Sequence, residues 1–403
     1  MRQQSFTHWP RVFTLWGCGI AAAMQFAKIA VAFRDLQTLY GASAASIGWI
    51  LSTVGLVGLV LGVTMGLVAP RVGYKRLLLG GLVLGAALAG IQTFLLPWPL
   101  FWLTRVFEGA SHLAVVVAAP TLMASAAAPR HRAIAMGLWS TFVGLAFAIA
   151  GVLGGPLIAL GGLPSVFAVH AVLLVLMAAA VFRFVPADGA RVGMPSPGRG
   201  APLTWLAHLP QLLRAHAAIY ARWNTALPGL GFLCYTSMAV ALLTFLPQHG
   251  GDSQWLLAAV LPVMGVAGTF SAGWLAQYWV TPLVLVRVAF AMVLVMAVAL
   301  AAATGLGQGY VVVALGLMYC AGLAGGSAFS LIPALNAEPA SQAKANGAVA
   351  QLGNLGSTVG PPVFALALAN FGVYGLSAAL VLCAGCGLGL GLWGAEQQRR
   401  GAV

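Results

Sequence analysis

Only six acidic side chains occur in this chain of 403 residues, and one of them, Glu108, lies deep inside an apolar run. Asp35, Asp188, Asp252, Glu338 and Glu396 fall at the ends of such runs or between them. An ionised carboxylate in a hydrocarbon setting costs at least a few kcal/mol unless it is paired, so such residues face cavities and mark ion or proton paths. Arg105, Glu108 and His112 stand at i, i+3 and i+7, one face of a helix. A second apolar run carries Gln25 and Lys28 on a shared face. Two readings are open. In one, Glu108 gains and loses a proton, aided by Arg105, while Gln25, Lys28 and His112 meet a substrate. In the other, Lys28, Arg105 and Glu108 neutralise one another and lock the fold. His112 and His170 also fit plain hydrogen-bonded packing.

The elements that must position these residues follow from composition. Hydrophobic residues make up 61 % of the chain and charged residues 6 %, whereas soluble domains carry roughly a quarter charged residues. Lipid is the solvent this chain requires. Segments of ~20 residues cross ~30 Å of hydrocarbon, and twelve apolar runs qualify: 12–34, 44–69, 77–96, 99–127, 133–160, 165–184, 219–246, 254–278, 282–304, 309–334, 343–369 and 373–394. The predicted fold is an all-α membrane protein of 12 transmembrane helices in two six-helix bundles, residues 1–184 and 219–403. The start reads as a retained first helix and not as a cleaved leader.

The formal charge of +13 is a topology signal. With the amino terminus inside, the inner loops receive most of the basic residues, among them Arg11, Arg71, Lys75, Arg76, Arg130 and Arg214, as in bacterial inner-membrane proteins. Both termini are then cytoplasmic, and the charge does not indicate nucleic acid. Residues 185–218 are rich in Pro, Gly and Arg and read as a cytoplasmic tether, with an amphipathic stretch from Trp205 to Leu213. Cys18, Cys234, Cys320, Cys383 and Cys386 all fall within apolar runs and read as reduced packing residues.

The two halves echo each other. Gly151-Val-Leu-Gly154-Gly155-Pro156 and Gly356-Ser-Thr-Val-Gly360-Pro361 share the pattern G-x-x-x-G-P at an offset of 205, and Gly66-Leu67-Val68-Ala69 returns as Gly273-Trp274-Leu275-Ala276 at 207. Glycine at every fourth position lets helices approach closely, which suits hinge and sliding surfaces. The carboxy-terminal half has no deep charge; Tyr235 and Tyr319, with Thr236, Ser237 and Ser327, suit an uncharged or amphipathic organic substrate or interhelical packing.

With twelve spans, tandem halves and signature strings at helix ends, the chain resembles the major facilitator superfamily over its whole length. The family marker G-x-L-A-D-R-x-G-R-K-R stands here as Gly66-Leu67-Val68-Ala69-Pro70-Arg71-Val72-Gly73-Tyr74-Lys75-Arg76, with Pro70 in place of the aspartate and Tyr74 in place of an arginine. The resemblance implies a conformational role for Gly66, Arg71, Gly73, Lys75 and Arg76. It also implies that the aspartate's latch is weakened or built otherwise. Arg105-Val106-Phe107-Glu108-Gly109 resembles R-x-x-Q-G, and the fifth span resembles the exporter marker G-x-x-x-G-P-x-x-G-G as far as Pro156. The family lines its cavity with the first, fourth, seventh and tenth helices. Lys28 lies six residues from Arg34 and Arg105 six from Pro99, so both reach ~9 Å inside the outer boundary at ~1.5 Å per residue.

The reading is therefore a secondary transporter, a monomer as is usual in this family, exporting a small organic molecule such as a drug-like compound or a siderophore in exchange for protons. The absence of a Walker A string leaves ion or substrate gradients as the energy source. Uptake of an organic anion, drawn by Lys28 and Arg105, is the alternative. Copper import is a third reading, since Cys234, Met238 and Met264 are soft ligands on the seventh and eighth spans, faintly resembling copper importers of the family. An enzyme is not expected, because Glu108 and scattered histidines form no nucleophile or metal constellation, and no cofactor or resident metal is called for.

Overall fold

The computed structural model describes residues 6–42, 44–188 and 209–401. Within them the chain is helical: α1 (Trp9–Val31), α2 (Phe33–Tyr40), α3 (Ala44–Val72), α4 (Tyr74–Gln92), α5 (Trp98–Ala126), α6 (Arg132–Ser140), α7 (Phe142–Phe184), α8 (Leu209–Ala221), α9 (Trp223–Phe245), α10 (Gln254–Tyr278), α11 (Pro282–Leu306), α12 (Tyr310–Leu335) and α13 (Pro339–Arg399). Of the expected tether, residues 189–208 lie outside the described residues, as does the start of the amphipathic stretch at Trp205.

Among the described residues, ten helical stretches are long and apolar enough to cross a membrane. Two of them, Pro129–Phe184 and Pro339–Arg399, run 56 and 61 residues, long enough for two crossings each. Inside each, a long helix breaks at glycine, α7 at Gly161–Gly162 and α13 at Gly372, and the first stretch has a further turn at Thr141, between α6 and α7. Gly162 has φ 65 and ψ −167, and Gly372 has φ 60 and ψ −150, a conformation that a Cβ all but forbids. Ser165 secures the first break by donating to the carbonyls of Leu157 and Gly162, both at 2.7 Å. The breaks are 210 positions apart, so the repeat written in the G-x-x-x-G-P strings continues in the backbone. Twelve crossing segments result. Large apolar side chains face outward, with Leu160 86 % and Phe94 80 % exposed, as a lipid environment requires.

Two compact units form, Met1–Pro129 with Leu145–His216, and Arg130–Gly144 with Ala217–Val403. In the first, α5 packs against α1, α3 and α4. In the second, α9 lies along α13, and α12 lies between α10 and α11. The segment 130–144 belongs to the amino-terminal half by sequence but is part of the second unit. The reason is glycine. Gly137 of α6 meets Gly273 of α10 backbone to backbone, and Ala133 N donates to Gln277 Oε1 at 3.1 Å.

The loop after α3 is built on Gly73, whose φ is 97. Asp188, read above as tether, accepts hydrogen bonds from the backbone amides of Lys75 at 2.8 Å and Arg76 at 3.0 Å. It thereby caps the first turn of α4, whose amides have no intrahelical partner. A Cβ at Gly73 would lie 2.5 Å from Asp188 Oδ2, so glycine serves both the turn and the cap. Lys75 returns the favour at the far end of α7, donating to the carbonyls of Phe182 at 3.0 Å and Val185 at 2.6 Å, while Arg11 donates to Phe184 O at 2.9 Å. The family's aspartate is absent at Pro70, and Asp188 supplies a carboxylate to the same loop from the other end of the unit. Asp188→Ala is expected to lower stability by ~1 kcal/mol, within the range for a lost helix cap, read as the thermal midpoint of the purified protein, with Asp188→Asn recovering part of it.

Candidate functional site

Three charged side chains meet in the interior of the first unit. Pro97 and Pro99 start α5, and the helix then carries Arg105, Glu108, Ser111 and His112 inward on successive turns. α1 brings Gln25 and Lys28 to the same place. Lys28 is 2 % exposed, and Arg105 and Glu108 are 0 % exposed. Lys28 Nζ donates to Glu108 Oε1 at 2.5 Å, and Arg105 Nη1 donates to Glu108 Oε2. Two further donors of the guanidinium, Nη2 and Nε, reach the backbone carbonyls of Gln25 at 2.7 Å and Ile50 at 3.4 Å.

A residue that sequence reasoning passed over completes the cluster. Gln92, at the end of α4, accepts from Lys28 Nζ at 2.6 Å and donates to Glu108 Oε2 at 2.9 Å and Thr104 Oγ1 at 2.8 Å. In the sequence Gln92 is a single amide near the end of an apolar run, with no spacing pattern to single it out. The carboxylate of Glu108 is thus held by three donors from three helices. It is enclosed by them, where the sequence suggested a group facing a cavity.

Gln25 turns to Ser111, donating to its hydroxyl at 2.9 Å, and Ser111 donates to Gly81 O at 2.7 Å. His112 Nδ1 bonds Ala22 O at 3.1 Å, and its ring meets Phe26 edge-on at 5.0 Å. His170, from the second part of α7, bonds Ala21 O through Nε2 at 2.9 Å and lies within electrostatic reach of Lys28, Glu108 and Arg105. Phe167, one turn earlier, places its ring 5.3 Å from Lys28 Nζ.

The structure thus gathers Gln25, Lys28, Arg105, Glu108 and His112. Tyr235 and Tyr319 belong to the second unit and are half-buried. Tyr235 lies 5.4 Å from Phe232 and covers Gly325. Thr236 and Ser237 donate to carbonyls of their own helix. Cys234 and Met238 are buried in the core of that unit with Met264 packed against it, and Cys383 Sγ donates to Cys234 O at 3.4 Å. Among the described residues, no group of three or more His, Cys, Asp or Glu side chains is gathered as a metal site would need.

The two G-x-x-x-G-P strings are used differently. Gly356 and Gly360 are buried against α9, where a Cβ would meet the Leu233 carbonyl at 2.6 Å and Ser237 Cα at 2.5 Å respectively. Gly151, Gly155 and Pro156 are exposed, with nothing within 4 Å of a Cβ at either glycine, and it is Gly154 that Val31 of α1 approaches. Around the α3–α4 turn, Gly66 within α3 is buried, Arg71 at the end of α3 and Arg76 at the start of α4 are exposed, and Lys75 is occupied with the end of α7.

Twelve membrane-crossing helices in repeated halves, with a charged cluster enclosed in one unit and polar groups without charge in the other, are the build of a membrane transporter. The chain belongs to the Major Facilitator Superfamily, whose family profile matches residues 15–361. It is 27 % identical over 243 residues to the methyl viologen resistance protein SmvA of Salmonella typhimurium, covering 59 % of this chain and 47 % of that protein. It is 30 % identical over 165 residues to the inner membrane transport protein YajR of Escherichia coli, covering 39 % and 35 %. The matched region therefore spans at most about half the length of these relatives. Among solved structures, the fold is similar to the FucP transporter in its outward conformation, with a TM-score of 0.70 at 15 % identity, covering 95 % of this chain and 98 % of that one. The human organic anion transporter MFSD10 gives 0.73 at 15 %, covering 95 % and 98 %. The proton:xylose symporter XylE gives 0.73 at 14 %, covering 96 % and 95 %.

Proposed function

We propose that this protein is a proton-coupled exporter of small organic molecules, working by alternating access in a bacterial inner membrane with both termini cytoplasmic. Its amino-terminal and carboxy-terminal halves act as the two moving bodies, joined by the tether. The observation that carries the reading is the enclosed trio of Lys28, Arg105 and Glu108. With all three ionised the cluster carries one net positive charge, and after loss of one proton it carries none. A cluster that alternates between these states repels an organic cation when protonated and admits it when neutral, the logic of exchange. Similarity to SmvA makes methyl viologen, a permanent dication, the first probe, and the half-match to the exporter marker around Gly151, Gly155 and Pro156 points the same way.

The same charge alternation supports a second reading, proton-linked uptake of an organic anion, because two cations face one carboxylate. The full chain in liposomes, with voltage clamped to zero, separates the two. For exchange, acidifying the outside by one pH unit is expected to drive trapped methyl viologen out toward a concentration ratio of about ten per proton exchanged, since ~1.4 kcal/mol is tenfold. For anion uptake, the same gradient accumulates benzenesulfonate, Lys28→Gln abolishes that accumulation, and methyl viologen release is unaffected by pH. If neither probe responds to the gradient, proton coupling is rejected for both.

A further inference from the structure

Resting on the proton-coupled reading, we infer that the exchangeable proton is carried by Lys28 Nζ and not by the Glu108 carboxyl. Three features of the cluster converge on this atom. The first is charge balance. Lys28 and Arg105 face one carboxylate, and the side chains that pack around them, Gln92 from α4, His112 from α5 and His170 from α7, add no anion. His112 and His170 both bond backbone carbonyls of α1. One proton more is present than neutrality allows, in a setting where an unbalanced charge is expensive. Arg105 does not release it, because a guanidinium stays protonated in proteins.

The second feature is hydrogen-bond supply. An ammonium has three N–H donors and a neutral amine two. Lys28 Nζ has two acceptors among the described residues, Gln92 Oε1 at 2.6 Å and Glu108 Oε1 at 2.5 Å. Among the described residues the third N–H of the ammonium has no oxygen acceptor. The Phe167 ring, with its centroid 5.3 Å from Nζ, offers the ammonium a π face but no oxygen. Loss of that proton leaves both hydrogen bonds of Lys28 in place and the cluster neutral. The third feature is the state of Glu108. Its oxygens already accept from Lys28, Arg105 and Gln92. Protonating it would set an O–H against three donors and leave two cations without an anion. The carboxylate is therefore the fixed charge around which Lys28 titrates.

The chain contains only three lysines, Lys28, Lys75 and Lys344, which makes a direct test practical. The full chain, labelled with 15N at the lysine Nζ and placed in lipid nanodiscs, gives three side-chain signals, assigned by Lys75→Arg and Lys344→Arg. Between pH 6 and pH 9 the Lys28 signal is expected to convert between its ammonium and amine positions, while Lys75 and Lys344 stay ammonium. A Lys28 signal that remains ammonium across this range while 13C-carboxyl labelling shows Glu108 converting to its acid form overturns the inference, and so does a range in which neither group changes. Failure of the transport reading looks different. In that case Lys28 converts as expected, but a pH gradient drives neither methyl viologen nor benzenesulfonate across liposomes.

Discussion

Glu108→Gln is expected to be the most damaging single substitution in the charged cluster, lowering stability by ~3–5 kcal/mol, the usual cost of removing one partner from a buried ion pair. The variant leaves Lys28 and Arg105 enclosed, 2 % and 0 % exposed, with no anion between them. Lys28→Gln removes a charge of the same size from the same place and has the opposite balance, because Arg105 and Glu108 remain as a neutral pair. It is expected to keep most of the wild-type thermal stability while losing transport driven by a pH gradient. The contrast is the informative quantity. Midpoints of thermal unfolding for the two variants, measured side by side in one detergent, must differ with Glu108→Gln the lower. Equal midpoints would mean that the cluster is not electrostatically coupled in the way its geometry implies.

Gly273→Val is expected to have the second largest effect. A Cβ at this position would come 2.5 Å from Gly137 Cα and 2.7 Å from Ala133 O. Both obstacles are backbone, so no side chain can swing aside and α6 must be pushed off α10. Overpacking of this kind typically costs ~1–3 kcal/mol, and methyl viologen release from liposomes is expected to fall with it. Gly155→Val is the matched control, since nothing lies within 4 Å of a Cβ there, and its thermal midpoint is expected to stay at the wild-type value. A Gly273→Val protein as stable as that control would show that α6 and α10 are not held in backbone contact.

Lipid leaves a sequence little choice, and that is why much of this fold was legible. Apolar runs of crossing length, broken by basic loops, defined the helices, and the G-x-x-x-G-P strings with the Gly66 and Gly273 echo exposed the repeat. The meeting of Lys28, Arg105 and Glu108 was legible because charge inside hydrocarbon must find a partner, and helical spacing put Arg105 and Glu108 on one face. Gln92 was not legible, since a single amide has no spacing pattern and its partners come from α1 and α5. Asp188 was hidden for a related reason. Its composition matched a tether, whereas the amides it caps are 113 and 112 positions away. The placement of residues 130–144 depended on which glycine met which, a matter of three-dimensional contact that no local pattern encodes.

The side chains of the cluster carry all of the fully enclosed charge among the described residues, and they belong to one unit; the enclosed polar groups of the other, including Thr269, Ser327, Asn346 and Ser377, are neutral. A membrane voltage does work on a protein only through charge that moves along the field, at ~2.3 kcal/mol per elementary charge carried across 100 mV. The protein is electrically lopsided. Rearrangement of the second unit leaves no enclosed charge for the field to act on, while any step that displaces the first unit's cluster with its net positive charge is a charge movement, visible as a transient current before a single substrate molecule has crossed.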